Sequence, residues 1–171
     1  MGPKKAGNRA SAVTEEAWGA TGRKGSAMQL TREVDYAVRA MIYLAARAEN
    51  DRGQLIEMAE AIDAPKSFLS KVLQSLCRAG LVISQRGSTG GFLILPEGRK
   101  ATIASICEAI EGPWNLNVCL TPGNSCSRKG VCPAHPVWVA AQQALLEVLR
   151  AHTVQELAAQ TLRPRPQLIS L

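Results

Sequence analysis

The sequence predicts a mostly α-helical fold that carries one small β-hairpin. Three observations predict it. Apolar residues recur at steps of three and four in several segments between residues 28 and 160. Two short apolar runs, "LVIS" and "FLIL", flank a glycine-rich connection, "QRGSTGG", and read as paired strands. The order helix, helix, tight turn, helix, hairpin then fits a winged helix-turn-helix, and a long apolar-striped segment after it fits an association helix.

The 171 residues suffice for one compact domain or for a small domain with an association element. Apolar residues make up 46% and aromatics only 4%, so aliphatic side chains and alanine fill the core. No apolar run approaches the ~18 residues of a membrane span, and the N-terminal stretch lacks the apolar run of a secretory signal. The expected compartment is the reducing cytoplasm, where five cysteines, an odd number, read as metal or redox chemistry rather than disulfides. The formal charge is +6, half of it in residues 1–27, where Lys4, Lys5, Arg9, Arg23 and Lys24 outweigh Glu15 and Glu16. A mildly basic body is compatible with a nucleic-acid partner.

Residues 1–27 are rich in Gly, Ala, Ser, Lys and Arg, show no apolar period, and read as a disordered basic extension. Met28 opens the first patterned segment and is a second candidate start of translation. The winged unit is expected over 28–100. In "MQLTREVDYAVRAMIYLAARAE", Val34, Val38, Met41, Ile42 and Ala45 share one helical face. "NDRG" at 50–53 breaks the chain, and "QLIEMAEAI" at 54–62 is a shorter helix. "DAP" at 63–65 is a turn that sets Pro65 at the start of the next helix. That helix, at 66–80, points Leu69, Val72, Leu73 and Leu76 inward and stops at Gly80.

A connecting segment, 101–118, holds a helix at 101–112 with Ile103, Ile106, Cys107 and Ile110 as its stripe. A cysteine loop follows at 119–135, and residues 136–160 are expected as one helix. Its stripe of Trp138, Ala141, Leu145, Val148 and Leu149 has little left in its own chain to cover it, so it is the expected homodimer seam. Folding back onto the winged unit is the competing expectation. Residues 161–171 read as a flexible tail.

The loop has the spacing Cys119-x6-Cys126-x5-Cys132-x2-His135. Thiolates bind iron and zinc, and imidazole joins either. Gly, Pro, Ser and Asn let the backbone wrap a site, and Arg128 and Lys129 offset thiolate charge. Structural zinc prefers a knuckle with two to four residues between cysteines. The wider gaps here favour an object with more than one metal atom, an iron–sulfur cluster, with zinc as the alternative. Cys77 and Cys107 sit in apolar helical patterns and read as core residues.

In a helix-turn-helix the second helix enters the major groove with its first turns. Lys66, Ser67, Ser70 and Lys71 are the outward residues there, and Arg32, Arg39 and Arg78 are candidates for phosphate contact. Arg39 reads better as a solvated surface charge.

"MQLTREVDYAVRAMIYLA", "PKSFLSKVLQSLCRAGLV", "RGSTGGFLI", "IEGP" and the three-cysteine loop together resemble the Rrf-two family of bacterial regulators, over about residues 28–160. The resemblance implies a dimeric winged-helix transcription factor that binds double-stranded promoter DNA and holds one iron–sulfur cluster per subunit. It implies Cys119, Cys126 and Cys132 as ligands. The fourth stays open. IscR-type members, which hold a 2Fe–2S cluster, imply His135; NsrR-type members, which hold a 4Fe–4S cluster, imply Asp35 of the partner subunit. The resemblance also places Ser70 and Lys71 where base readers sit, and Arg86 where a residue enters the minor groove.

The chain has no nucleotide-binding loop and no nucleophile–base pair. An enzyme is therefore not expected, and a cluster-carrying electron carrier is the weaker competitor of a DNA-binding sensor of iron, nitric oxide or redox state.

Overall fold

The computed structural model describes residues 31–87, 90–113, 115–123 and 126–161. The expected disordered extension, 1–27, and the expected tail beyond Thr161 lie outside them.

Helix α1 spans Arg32–Ala45. Thr31 caps it, its Oγ1 accepting from the Val34 N–H at 3.4 Å. The buried face is Val34, Ala37, Ala40, Met41, Leu44 and Ala45. Val38 and Ile42, expected on that face, sit half-buried at its margin. The reason is that α1 is the hub of the fold. Helices α3, α5 and α7 all pack on it, so the buried arc is wider than one stripe, and it includes the small residues Ala37 and Ala40.

Helices α2, Leu55–Ala61, and α3, Lys66–Arg78, make the helix-turn-helix pair. The turn holds Asp63 at a left-handed φ of 52°. The buried residues of α3 are Leu69, Val72, Leu73 and Leu76, the four expected from its pattern. Each such aliphatic side chain contributes roughly 1.5–3 kcal/mol by leaving water. Tyr36 on α1 meets Phe68 on α3 edge to face, ring centroids 5.8 Å apart, which fixes the start of α3 against the hub.

Strands β1, Val82–Gln85, and β2, Gly91–Ile94, pair antiparallel with Val82 opposite Ile94 and Gln85 opposite Gly91. Each lies one residue from its expected position, at 81–84 and 92–95. The buried pair Val82 and Ile94 sets the register, because a slip by one would turn Ile83 inward. The Gly53 N–H donates to the Phe92 carbonyl at 2.9 Å, and the Phe92 N–H donates back at 3.0 Å. The approach is close: a Cβ on residue 53 would lie 2.8 Å from Cδ2 of the buried Leu44, so a larger residue there makes that side chain shift.

One short helix was not expected, and the helix expected over 101–112 forms within those bounds. Helix α4, Pro96–Lys100, is one short turn started by proline. Helix α5, Ile103–Glu111, is opened by a capping box of Thr102 and Ser105 and ends at Gly112, φ 81°.

The expected single helix over 136–160 is two: α6, His135–Arg150, and α7, Val154–Thr161. Thr153 and Glu156 break it. The Glu156 N–H donates to Thr153 Oγ1 at 3.3 Å and the Thr153 N–H donates to Glu156 Oε2 at 2.8 Å, a capping box that starts a new helix. Thr153 also bridges Thr102, and the Val154 N–H donates to the Ala101 carbonyl at 2.8 Å. Helix α7 thus turns back onto α1, burying Val154 and Ala158. Helix α6 packs on α5 but has no buried residue. The folding-back expectation holds for α7 alone.

Candidate functional site

One face of α3 is free of the core. Lys66, Ser67 and Lys71 are exposed, and Ser70 is half-buried. Gln74 is exposed on the same face, three and four residues beyond Lys71 and Ser70. Sequence reasoning passed over Gln74; outward periodicity on α3 is the signal that finds it. A glutamine amide can hydrogen-bond both edge atoms of an adenine, which makes Gln74 a candidate for base contact beside Lys71. Arg78 is exposed one turn further and donates to Ser75 Oγ at 2.8 Å.

Arg86 stands exposed just past β1, before Gly87. Arg32 is exposed at the start of α1. Arg39 is tied down: it pairs with Asp35 at 2.8 Å and reaches the Ile62 carbonyl at 3.4 Å. It is a surface charge used within the fold. Arg52, adjoining Gly53 at the foot of the hairpin, makes no ion pair among the described residues.

The cysteine loop is built on short local turns. Cys119 lies buried in a 3-10 turn, Val118–Leu120, that packs on α6. Cys126 and Cys132 are half-buried, and all three thiols are free. The Lys129 N–H donates to the Cys126 carbonyl at 3.0 Å, and the His135 N–H to the Cys132 carbonyl at 3.1 Å. Gln142 on α6 accepts the Leu116 N–H at 2.8 Å and holds the loop's entry.

His135 is the first residue of α6, and its Nδ1 is buried with no hydrogen-bond partner among the described residues. A buried imidazole nitrogen left without a partner is unusual, and a metal is one partner that satisfies it. Among the described residues no three of His, Cys, Asp and Glu are gathered closely enough to hold one metal ion. The donor chemistry of an iron–sulfur site is present on one segment; a closed ligand cage is not. Asp35 lies on α1, exposed, with its carboxylate engaged by Arg39.

The other two cysteines behave as core residues. Burial pushes the Cys77 thiol up, a hydrogen bond with Ser84 partly offsetting it. Burial pushes the Cys107 thiol up as well, and Glu111 adds to the shift. Thiols held protonated are poor ligands and poor nucleophiles.

The solved structures with this arrangement are regulators. CymR, the global cysteine regulator of B. subtilis, superimposes with a TM-score of 0.63 at 25% identity, covering 78% of this chain and 98% of that one. IscR of T. potens has the same fold, with a TM-score of 0.61 at 23% identity, covering 81% and 94%. By sequence, protein aau3 of Rhizobium meliloti is 32% identical over 142 residues, 82% of this chain and 89% of that protein. The HTH-type transcriptional regulator NsrR of Geobacillus kaustophilus is 30% identical over 131 residues, 76% and 89%. The family model described as "Rrf2: Iron-dependent Transcriptional regulator" matches residues 30–160, a span from α1 to α7. The chain belongs to the Rrf2 family of winged-helix, DNA-binding transcriptional regulators.

Proposed function

We propose that the chain works as a homodimer whose DNA affinity answers to one iron–sulfur cluster per subunit, held by Cys119, Cys126, Cys132 and His135. One observation carries the reading. Three free thiols and an imidazole with an unpartnered buried nitrogen lie on the single segment that leads into α6. His135 is favoured over Asp35 as fourth ligand because the Asp35 carboxylate already has a cation at 2.8 Å. When bound, such a cluster supplies the reactive iron on which iron supply, nitric oxide and oxygen act.

The chain's own residues do the rest. Cys119 is anchored through its 3-10 turn to α6, while Cys126 and Cys132 are half-buried on local turns. Ordering those turns fixes the entry of α6. Uncovered apolar side chains on α6 support a dimer seam: Val137 is 62% exposed, Trp138 39% and Val148 66%. A dimer presents two copies of α3, whose separation has to match half-sites about one helical turn apart. On this reading the outward residues Ser67, Ser70, Lys71 and Gln74 contact bases, with Lys66 and Arg86 beside them, and the exposed Arg32 and Arg78 contact phosphates.

Anaerobic purification, followed by absorption and iron analysis, tests the ligand set. Wild-type protein is expected to be coloured and to lose its charge-transfer bands when any one of Cys119, Cys126 or Cys132 becomes serine. Serine at Cys77 or Cys107 is expected to leave them. Alanine at His135 is expected to alter the bands and alanine at Asp35 to spare them; the reverse pattern moves the fourth ligand to α1. Colourless protein with zinc and no iron overturns the cluster.

A further inference from the structure

Helix α6 packs on α5 and on the 3-10 turn before it, and its far end leads through α7 into a joint on the winged unit. Arg99, on α4, donates from a single nitrogen to the Ala45 carbonyl at 2.9 Å and to Gln155 Oε1 at 2.8 Å. One guanidinium thereby joins the end of α1, α4 and the first turn of α7. Beside it the Thr102–Thr153 bridge and the Val154 N–H to Ala101 bond join the start of α5 to the start of α7. Only residues 151–153 separate this joint from the end of α6. The Ala45 carbonyl lies among the last of α1, where four carbonyls have no helical partner, so a cation there is favoured by both hydrogen bond and helix dipole.

From this geometry we propose that Arg99, through Gln155, is a positioning residue for DNA recognition. It makes the joint between α6 and α1 stiff. The hub α1 also carries α3, with Tyr36 against Phe68. The path from α6 to the base-reading face therefore runs α6, α7, α1, α3, with Arg99 clamping its middle step. A stiff path holds the two recognition helices of a dimer at one separation and one rotation. A loose path lets them adapt to wrong spacings at the expense of effective concentration at the right one. Arg99 touches neither the thiol loop nor the face of α3, so its effect appears in spacing discrimination rather than in base preference or metal content.

The inference rests on the dimeric reading above, and its test separates the two. The probes are a duplex selected by the wild-type chain from a random pool, its isolated half-site, and the same duplex with two base pairs added at its centre. Two added pairs turn the second half-site by about 70° and move it by about 7 Å. Wild type is expected to lose about tenfold or more in affinity on the lengthened duplex. Arg99→Ala and Gln155→Ala are expected to shrink that loss at least about threefold, with half-site affinity and iron content unchanged. Tyr43→Phe, which deletes the hydrogen bond that Tyr43 of α1 accepts from Arg47 just past the helix and leaves both Arg99 bonds in place, is expected to behave as wild type. If Arg99→Ala does not fold, Gln155→Ala decides. Wild-type discrimination that both variants retain in full overturns the role of Arg99 and leaves the dimer intact. A wild type indifferent to spacing removes the dimeric reading, and this inference with it.

Discussion

Thr102 and Thr153 are each the first residue of a capping motif, and they face one another in a single antiparallel bridge. The bridge brings together the starts of α5 and α7, with the end of α6 only a few residues away. A chain that would otherwise continue straight is folded back at this point, and α6 is joined through α7 to the winged unit.

The fold-back depends on the α7 cap. Thr153→Ala is expected to cost about 1 kcal/mol, the usual worth of a threonine cap. The acid side adds a pH signature. Glu156 sits below the ordinary carboxylate value of 4.5, because it accepts the Thr153 backbone N–H, with the Thr153 side chain and His152 adding to the effect. Its folded pKa is lowered, so its contribution is present above about pH 4.5 and is lost as pH falls through the folded value. The gap in melting temperature between wild type and Glu156→Gln is expected to shrink below pH 4.5. A gap that widens in acid would contradict the cap.

Leu73, fully buried on α3, faces the shared core of α1, α2 and α3. Leu73→Ala is expected to destabilise by about 2–5 kcal/mol, read as a shift of the chemical denaturation midpoint. A loss below about 0.5 kcal/mol would mean that α3 is not seated on that core.

Base reading and phosphate contact differ in how they fail. Lys71→Ala and Gln74→Ala are expected to change which bases are preferred, at ~1–3 kcal/mol for each good contact. Arg32→Ala and Arg78→Ala are expected to weaken binding to all sequences and to lower the salt slope by about 1 each. A uniform loss with Lys71→Ala would move that residue to the phosphate class.

The uncovered face of α6 predicts association. Placing aspartate at Leu145 and Val148 puts two charges into the seam, at a cost of several kcal/mol. Sedimentation is expected to show a monomer, and a dimer that survives the double substitution lies on another surface.

Local chemistry was legible in the sequence wherever all of an element's neighbours lie on one side of it. The stripe of α3 reads correctly because α1, α2, α5 and β1 meet its inner side and its outer side meets solvent. The stripe of α1 reads off-centre because α3, α5 and α7 approach it from different directions, and Ala37 and Ala40, weak signals of burial, belong to its buried face. The break between α6 and α7 has no proline or glycine to mark it; its signal is Thr153 followed three residues on by Glu156. Gln74 was passed over because the reading kept to the first turns of α3, and Gln74 lies one turn beyond them on the same outward face. The thiol loop is legible as candidate donors on one segment, and which of them could meet is not. Spacing names which residues share a segment, whereas their separation depends on turns that Gly, Pro and Ser leave open.

The most direct test of the central claim is the affinity of anaerobically purified protein for its selected duplex, measured before and after an iron chelator, with Cys126→Ser in parallel. The wild type is expected to change by roughly fivefold or more. Cys126→Ser is expected not to change. Equal affinities for the wild type in both conditions, with iron shown to be removed, would contradict control of DNA binding through the thiol loop.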